Sequence, residues 1–236
     1  MNYAFARLWV LGVLTAASGT AAAQASDYLR TVFENPHVRV VELLMPVGAS
    51  LPGHVQPPGV RISAGKARFR LVAPDGSAQV LDYDPGQIQW VGEPERRTWT
   101  AVAGEAHVFF VEVKSAATGT VPAEPALAAD HASRIDPEGH RAVIDNAHVR
   151  VLDGFGPAGA VSPPHSHPPT VLVSLSKSRF RVTIDGRTRV FDFEPYLVRW
   201  NNHFTHQWTL LAGEPRVVMV ELKSADGDPA YKRRRR

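Results

Sequence analysis

The feature that most constrains this chain is an internal duplication. Asn35-Pro36-His37-Val38-Arg39-Val40 recurs as Asn146-Ala147-His148-Val149-Arg150-Val151, and Gly48-Ala49-Ser50-Leu51-Pro52-Gly53-His54 recurs as Gly159-Ala160-Val161-Ser162-Pro163-Pro164-His165. The Asp75-Gly76 turn matches Asp185-Gly186, Trp90 matches Trp200, and Val111-Glu112-Val113-Lys114 matches Val220-Glu221-Leu222-Lys223. The offset drifts only between 109 and 111 residues along the whole series. A sequence that repeats itself at one period is built from repeated structural units, here two copies of one module.

Each copy reads as β. Short runs rich in Val, Ile, Leu, Phe and Thr are broken by Gly, Pro and Asp, and each copy has one Asp-Gly hairpin signal. Neither copy contains a capped helix of three turns. Several antiparallel strands in a module of this size suit a sandwich or jelly roll, which can close around a ligand cavity. The expected modules are residues 27–116 and 140–224. Between them, residues 117–139 are rich in Ala and Pro and read as a linker with a short helix near Pro125 to His131.

The ends of the chain differ from its body. Arg7, the apolar run Leu8 to Ala17 and the small-x-small stretch Ala23-Gln24-Ala25 predict a signal peptide over residues 1–25, hence a periplasmic or secreted protein. There is no Cys, so the core must hold without disulfides. The formal charge of +3 falls to +2 without Arg7, and to −3 once the terminal Lys232 to Arg236 are set aside. A basic tail on a mildly acidic body does not make a nucleic-acid binder, and no run is long enough to span a membrane comfortably.

Chemistry concentrates in the second copy. His165 and His167 stand two apart, so on a strand both imidazoles face one side. Neutral imidazole is a common transition-metal ligand; the alternative is two solvated histidines in a loop. Downstream, Trp200-Asn201-Asn202-His203-Phe204-Thr205-His206 offers two more histidines.

Gly159, His165 and His167 resemble the first motif of the cupin family, Gly-x5-His-x-His. His206 fits the single histidine of its second motif. The resemblance implies an all-β protein of two tandem cupin-type jelly-roll β-barrels, a bicupin. It also implies a metal held by His165, His167 and His206. The Glu that usually follows the second histidine is missing, with Val171 and Leu172 at those positions, and Leu210 replaces the Asn that closes the second motif. Three histidines without a carboxylate leave a divalent ion its full charge and suit Fe, Zn, Ni or Cu. His203 is expected outside the ligand shell, as an acid–base group at most. The first copy has Gln56 where the second has His167 and Arg97 where it has His206, so it is expected to bind no metal. Arg97 either holds an anionic group or pairs with Glu93 or Glu95. The histidines at 37, 107, 131, 140 and 148 are expected to be structural, and the four tryptophans Trp90, Trp99, Trp200 and Trp208 to fill the barrels.

Two functions follow from the resemblance. One is an exported metal-dependent enzyme, a dioxygenase or isomerase, acting on a small anionic or carbonyl compound. The other is a non-catalytic protein that binds a small molecule or a metal. Assembly into a homodimer is left open by the sequence.

Overall fold

The computed structural model describes residues 27–120 and 127–226. The expected signal peptide, Pro125 and the basic tail lie outside them. Among the described residues no helix is long and apolar enough to cross a membrane. The described residues are almost all β, and the helices among them are single turns at Lys114–Ala117, Ala132–Ile135 and Lys223–Asp226.

The first copy forms two antiparallel sheets. One holds β1 (Leu29–Glu34), β2 (Val38–Met45), β4 (Gly59–Ser63), β7 (Ile88–Val91) and β9 (Ala106–Val113) in the order β1-β2-β9-β4-β7. The other holds β3 (Ser50–Gln56), β5 (Ala67–Val72), β6 (Ala78–Tyr83) and β8 (Glu95–Gly104) in the order β3-β8-β5-β6. The second copy repeats this plan. Its five-stranded sheet is β10 (His140–Asp145), β11 (Val149–Phe155), β18 (Arg216–Leu222), β13 (Thr170–Ser174) and β16 (Val198–Asn201). Its four-stranded sheet is β12 (Val161–His167), β17 (Phe204–Gly213), β14 (Ser178–Ile184) and β15 (Arg187–Phe193). Each pair of sheets encloses one barrel.

The five-stranded sheets are buried on both faces. Along β9, Ala106, Val108 and Phe110 point into the first barrel, while Phe109, Val111 and Val113 point away from it. Those outward residues join Val38 and Val60 against Val149, Val171 and Val220 of the second copy in one shared core. Strands buried on both faces read as continuous apolar runs rather than alternating ones, as Val-Phe-Phe-Val in β9 and Val-Leu-Val in β13 do.

Aromatic pairs close the rim of this seam. Phe33 stacks on Trp200 and Trp90 on His148, both at 5.9 Å between ring centroids. So Trp90 and Trp200 belong to the seam, whereas Trp99 is buried in the first barrel and Trp208 lines the second. Two further contacts occupy equivalent positions and differ in kind. Arg216 lies against Gly86 and bonds the carbonyls of Pro85 and Gly86 at 3.1 and 2.9 Å. Its counterpart His107 packs at 4.1 Å between ring centroids, tilted by 58°, against Tyr196, the counterpart of Gly86. Positions 86 and 196 both have positive φ, and the missing side chain at Gly86 leaves room for the Arg216 guanidinium, whose carbon lies 2.0 Å from where a Cβ would stand.

The segment expected as a linker is more than a tether. His131 forms an isolated bridge with Ser166, and the Ser166 N–H donates to the Asp130 carbonyl at 2.8 Å. The short helix begins one residue after the expected stretch, at Ala132, with His131 as its N-cap.

Candidate metal centre

β12 lies at the edge of its sheet, where prolines without an N–H are tolerated. Pro163 and Pro164 form a bulge, seen as a register shift against β17 between Ser162 and His165. The bulge resets the alternation. Ser162, His165 and His167 are all fully buried. β17 sets His206 directly opposite His165. The His206 ring lies 4.5 Å from that of His165 and 5.3 Å from that of His167.

Hydrogen bonds fix the tautomers of the pair. His165 Nδ1 lies 2.7 Å from the Pro163 carbonyl oxygen, which can only accept, so Nδ1 carries the proton and Nε2 keeps its lone pair. His167 Nδ1 donates to Glu221 Oε1 at 3.0 Å, with the same result. The second oxygen of Glu221 accepts from His131 Nε2 at 2.9 Å. The Ser133 N–H donates to His131 Nδ1 at 3.1 Å and so holds His131 in that tautomer. A chain Ser133–His131–Glu221–His167 therefore runs from the short helix to the cluster. A carboxylate behind a ligating histidine is the usual outer support of a metal site.

His140 completes the cluster, against expectation. It enters from β10 opposite Gly154, and its ring lies 4.6 Å from His165 and 5.3 Å from His167. Ring nitrogens of His140, His165 and His167 lie within 4.8 Å of one another, close to the span of one ion with bonds of about 2.0–2.1 Å. His206 falls outside that tight set, but its Nε2, like those of His165 and His167, is buried without a hydrogen-bond partner. Orphaned buried nitrogens call for a partner, and the proton-free Nε2 atoms of His165 and His167 fit a cation.

The electrostatics agree. Burial pushes all four imidazoles toward the neutral form: His165 below its ordinary value, His140 down to about 4, and His167 and His206 far below the ordinary histidine range. Mutual repulsion between the rings adds to the shift of His140, His167 and His206. Burial also raises Glu221, against the pull of its His131 hydrogen bond. For Asp136, burial is outweighed by the Ser162 hydroxyl, the Gly139 N–H and the nearby histidines, so its carboxyl stays low. Its Oδ2 accepts from Ser162 at 2.5 Å and stands 3.2 Å from His140 Nδ1.

A cavity of about 390 Å³ opens beside His140 and His206. Its wall is mostly apolar, with Phe155, Phe180, Phe191, Phe193, Phe204 and Trp208. His203 lines it too, from the bend between β16 and β17. That bend removes the strand alternation that would have turned it away.

At the matching place the first barrel holds a charged side chain. Arg61, which corresponds to Leu172, is 2 % exposed. Its guanidinium bonds Gln56 at 2.6 Å, Tyr83 at 2.7 Å, Gln89 at 3.1 Å and Glu95 at 3.1 Å, and lies 4.8 Å over Trp99. Arg97 sits opposite His54 and makes only a loose 3.8 Å pair with Glu95. Burial, and secondarily Arg61, lowers His54 to about 4. A fixed cation from the chain fills the position that stands open in the second barrel.

His140, His131 and Glu221 are the residues that sequence reasoning missed. His140 matches Leu29 of the first copy, and that difference was the available signal. Glu221 matches Glu112, so the repeat made it look like scaffold.

No family model matches the chain, and no curated protein resembles it closely enough to match. Solved structures do. Oxalate decarboxylase from Bacillus subtilis aligns with a TM-score of 0.53 at 16% identity, covering 84% of this chain and 71% of that one. A cupin 2 conserved barrel domain protein from Leptotrichia buccalis aligns at 0.51 and 8% identity, covering 82% and 88%. AerE from Microcystis aeruginosa aligns at 0.50 and 12% identity, covering 82% and 96%. At these identities the likeness is one of fold: the chain has the fold of a bicupin, two cupin-type barrels in tandem.

Proposed function

We propose that the second barrel holds one divalent transition metal through His165, His167 and His206, with His140 as a fourth nitrogen ligand. In this view the chain is an exported metal-dependent enzyme of the oxygenase or isomerase class, acting on a small anionic or carbonyl compound. The observation that carries the proposal is the buried histidine cluster: ring nitrogens of His140, His165 and His167 lie within 4.8 Å of one another, and the Nε2 atoms of His165, His167 and His206 have no hydrogen-bond partner. Bound there, the ion would supply a Lewis-acid centre at which carbonyl or enolate oxygens are polarised. Four imidazoles would close a four-coordinate zinc, whereas a six-coordinate ion such as Fe(II) or Ni(II) keeps open positions. Manganese joins that group because the Bacillus subtilis oxalate decarboxylase has Mn(II) centres.

The chain's own groups have distinct tasks. Glu221 holds His167 with its proton on Nδ1, and the Pro163 carbonyl does the same for His165. The aromatic wall excludes water from the bound compound. His203, at the cavity wall, is the candidate to take or return a proton at an imidazole nitrogen. Oxalate itself would leave most of a 390 Å³ apolar cavity unfilled, so that substrate is not carried over.

The second reading, a binding protein without turnover, is favoured by the lack of a carboxylate among the ligands. Metal analysis of untagged protein followed by an oxygen-uptake screen tests both. Metal at one equivalent with turnover supports the enzyme, and metal without turnover supports the binder. A metal-free protein that takes up no added Mn, Fe, Ni or Zn refutes the centre. Export is tested separately, by a mature N-terminus near Ser26 in the mass of exported protein.

A further inference from the structure

The walls of the second barrel also constrain what enters it. The cavity has an apolar body, with His140, His203 and His206 in its wall. Both sheets of the barrel also carry arginines. Arg199 lines the cavity, with its guanidinium 5.5 Å over the Phe191 ring. Arg189 stands directly opposite Val182 on the neighbouring strand, and Arg187 opposite Ile184. Residues directly opposite across an antiparallel pair face the same side, and Val182 and Ile184 line the cavity. All three arginines are exposed. Among the described residues none of the three makes an ion pair, whereas Arg179 on the other face of the four-stranded sheet pairs with Asp192.

The duplication gives an internal control. The positions of Arg187, Arg189 and Arg199 are Ser77, Gln79 and Gln89 in the first copy. The barrel plugged by Arg61 has neutral residues there, and the barrel with a cavity has three cations. Fold alone does not require them, since the first copy folds the same way without them.

We infer that the second barrel takes an organic anion with an apolar, preferably aromatic, body, its charged group held at Arg199, Arg189 and Arg187 and its far end directed at the histidine cluster. A cavity of this volume accommodates a single-ring compound with a short side chain. The aromatic walls favour a ring through stacked or edge contacts, and guanidinium groups suit carboxylates through charge-assisted hydrogen bonds. The far end of this arrangement rests on the metal reading, but the body and the cationic rim do not.

The test uses the full mature chain, stripped with a chelator, and titration calorimetry at low salt. Three probes are compared: trans-cinnamate, its neutral counterpart cinnamyl alcohol, and malonate, a small hydrophilic dianion. Cinnamate should bind saturably, the alcohol roughly tenfold more weakly, and malonate not at all. Arg199→Gln and Arg189→Gln install the first copy's residues at exposed positions. Each should weaken cinnamate roughly five- to tenfold, in the range of a charge-assisted contact at a partly exposed site, and leave the alcohol unchanged. Malonate binding as tightly as cinnamate, no cinnamate binding at millimolar concentration, or cinnamate binding indifferent to both variants would overturn the inference. Zinc uptake measured on the same preparation reports on the metal centre alone, so the two can fail independently.

Discussion

Replacing Glu221 by Gln is the sharpest perturbation of the metal centre, because it removes a charge without removing volume. Glu221 is 1 % exposed, and its two oxygens accept one imidazole N–H each, at 3.0 Å from His167 and 2.9 Å from His131. An amide has one accepting oxygen and one donating NH₂. If the oxygen faces His131, the NH₂ meets His167 Nδ1. That nitrogen must then accept, and the His167 proton moves to Nε2, the atom that should hold the ion. If the oxygen faces His167, the NH₂ requires a lone pair on His131 Nε2. The His131 proton moves to Nδ1 and the Ser133 N–H loses its acceptor. Either way one end of the chain is mismatched. Loss of an outer-shell partner costs about 10–100-fold in metal affinity, or about 1.4–2.8 kcal/mol. Competition against a chromophoric chelator, with circular dichroism to verify folding, measures it. Glu112→Gln, which touches Arg39 in the first barrel, is the control and should leave affinity unchanged. A folded Glu221→Gln protein with wild-type affinity would refute the tautomer argument.

The remaining expectations concern ligands, acid and the first barrel. His206→Ala and His140→Ala should each remove most bound metal, while His203→Ala should keep it and lose turnover; plasma mass spectrometry and the oxygen assay separate these outcomes. In metal-free protein His54 and His140 stay neutral down to about 4, whereas in the unfolded chain they take up protons below about 6.5. Their contribution is therefore complete above pH 6.5 and lost as pH falls toward 4, at most roughly 3 kcal/mol for His140. Thermal melts across that range should show the loss, and His54→Phe should flatten part of it. In the first barrel, Gln56→His with Arg97→His should still leave one metal per chain, because Arg61 occupies the space. Adding Arg61→Leu should raise the count to two, and a count of one would show that the plug is not what excludes the ion.

The duplication made the fold legible, since Asn-x-His-Val-Arg-Val and the paired Asp-Gly turns fixed two equivalent β modules before any contact was known. His165 and His167 were legible because they are neighbours on one strand. His206 was singled out by its resemblance to the second cupin motif, and its equivalence with Arg97 in the repeat holds in the register: His206 lies across from His165 as Arg97 does from His54. His140 was not, because it comes from a strand edge 25 residues upstream of His165, and no spacing rule links them. Glu221 and His131 were hidden for opposite reasons. Glu221 looks conserved between copies yet bonds His167 in one barrel, while Glu112 bonds Arg39 in the other. His131 sits in a stretch whose composition reads as a tether. The exchange of Leu172 for Arg61 is visible in sequence, but only packing shows that it turns a cavity into a solid interior.

The two unlike contacts at the seam decide what each half can pair with. Suppose two second halves met through this same face. Arg216 of each would then meet Tyr196 of the other, whose ring fills the space that Gly86 leaves open. Two first halves would instead set His107 against Gly86 and forfeit the 4.1 Å ring contact with Tyr196. Only the mixed pairing satisfies both ends at once. The molecule is thus a heterodimer written into a single polypeptide, and either half expressed alone would present a sticky valine-rich face with no self-complementary match.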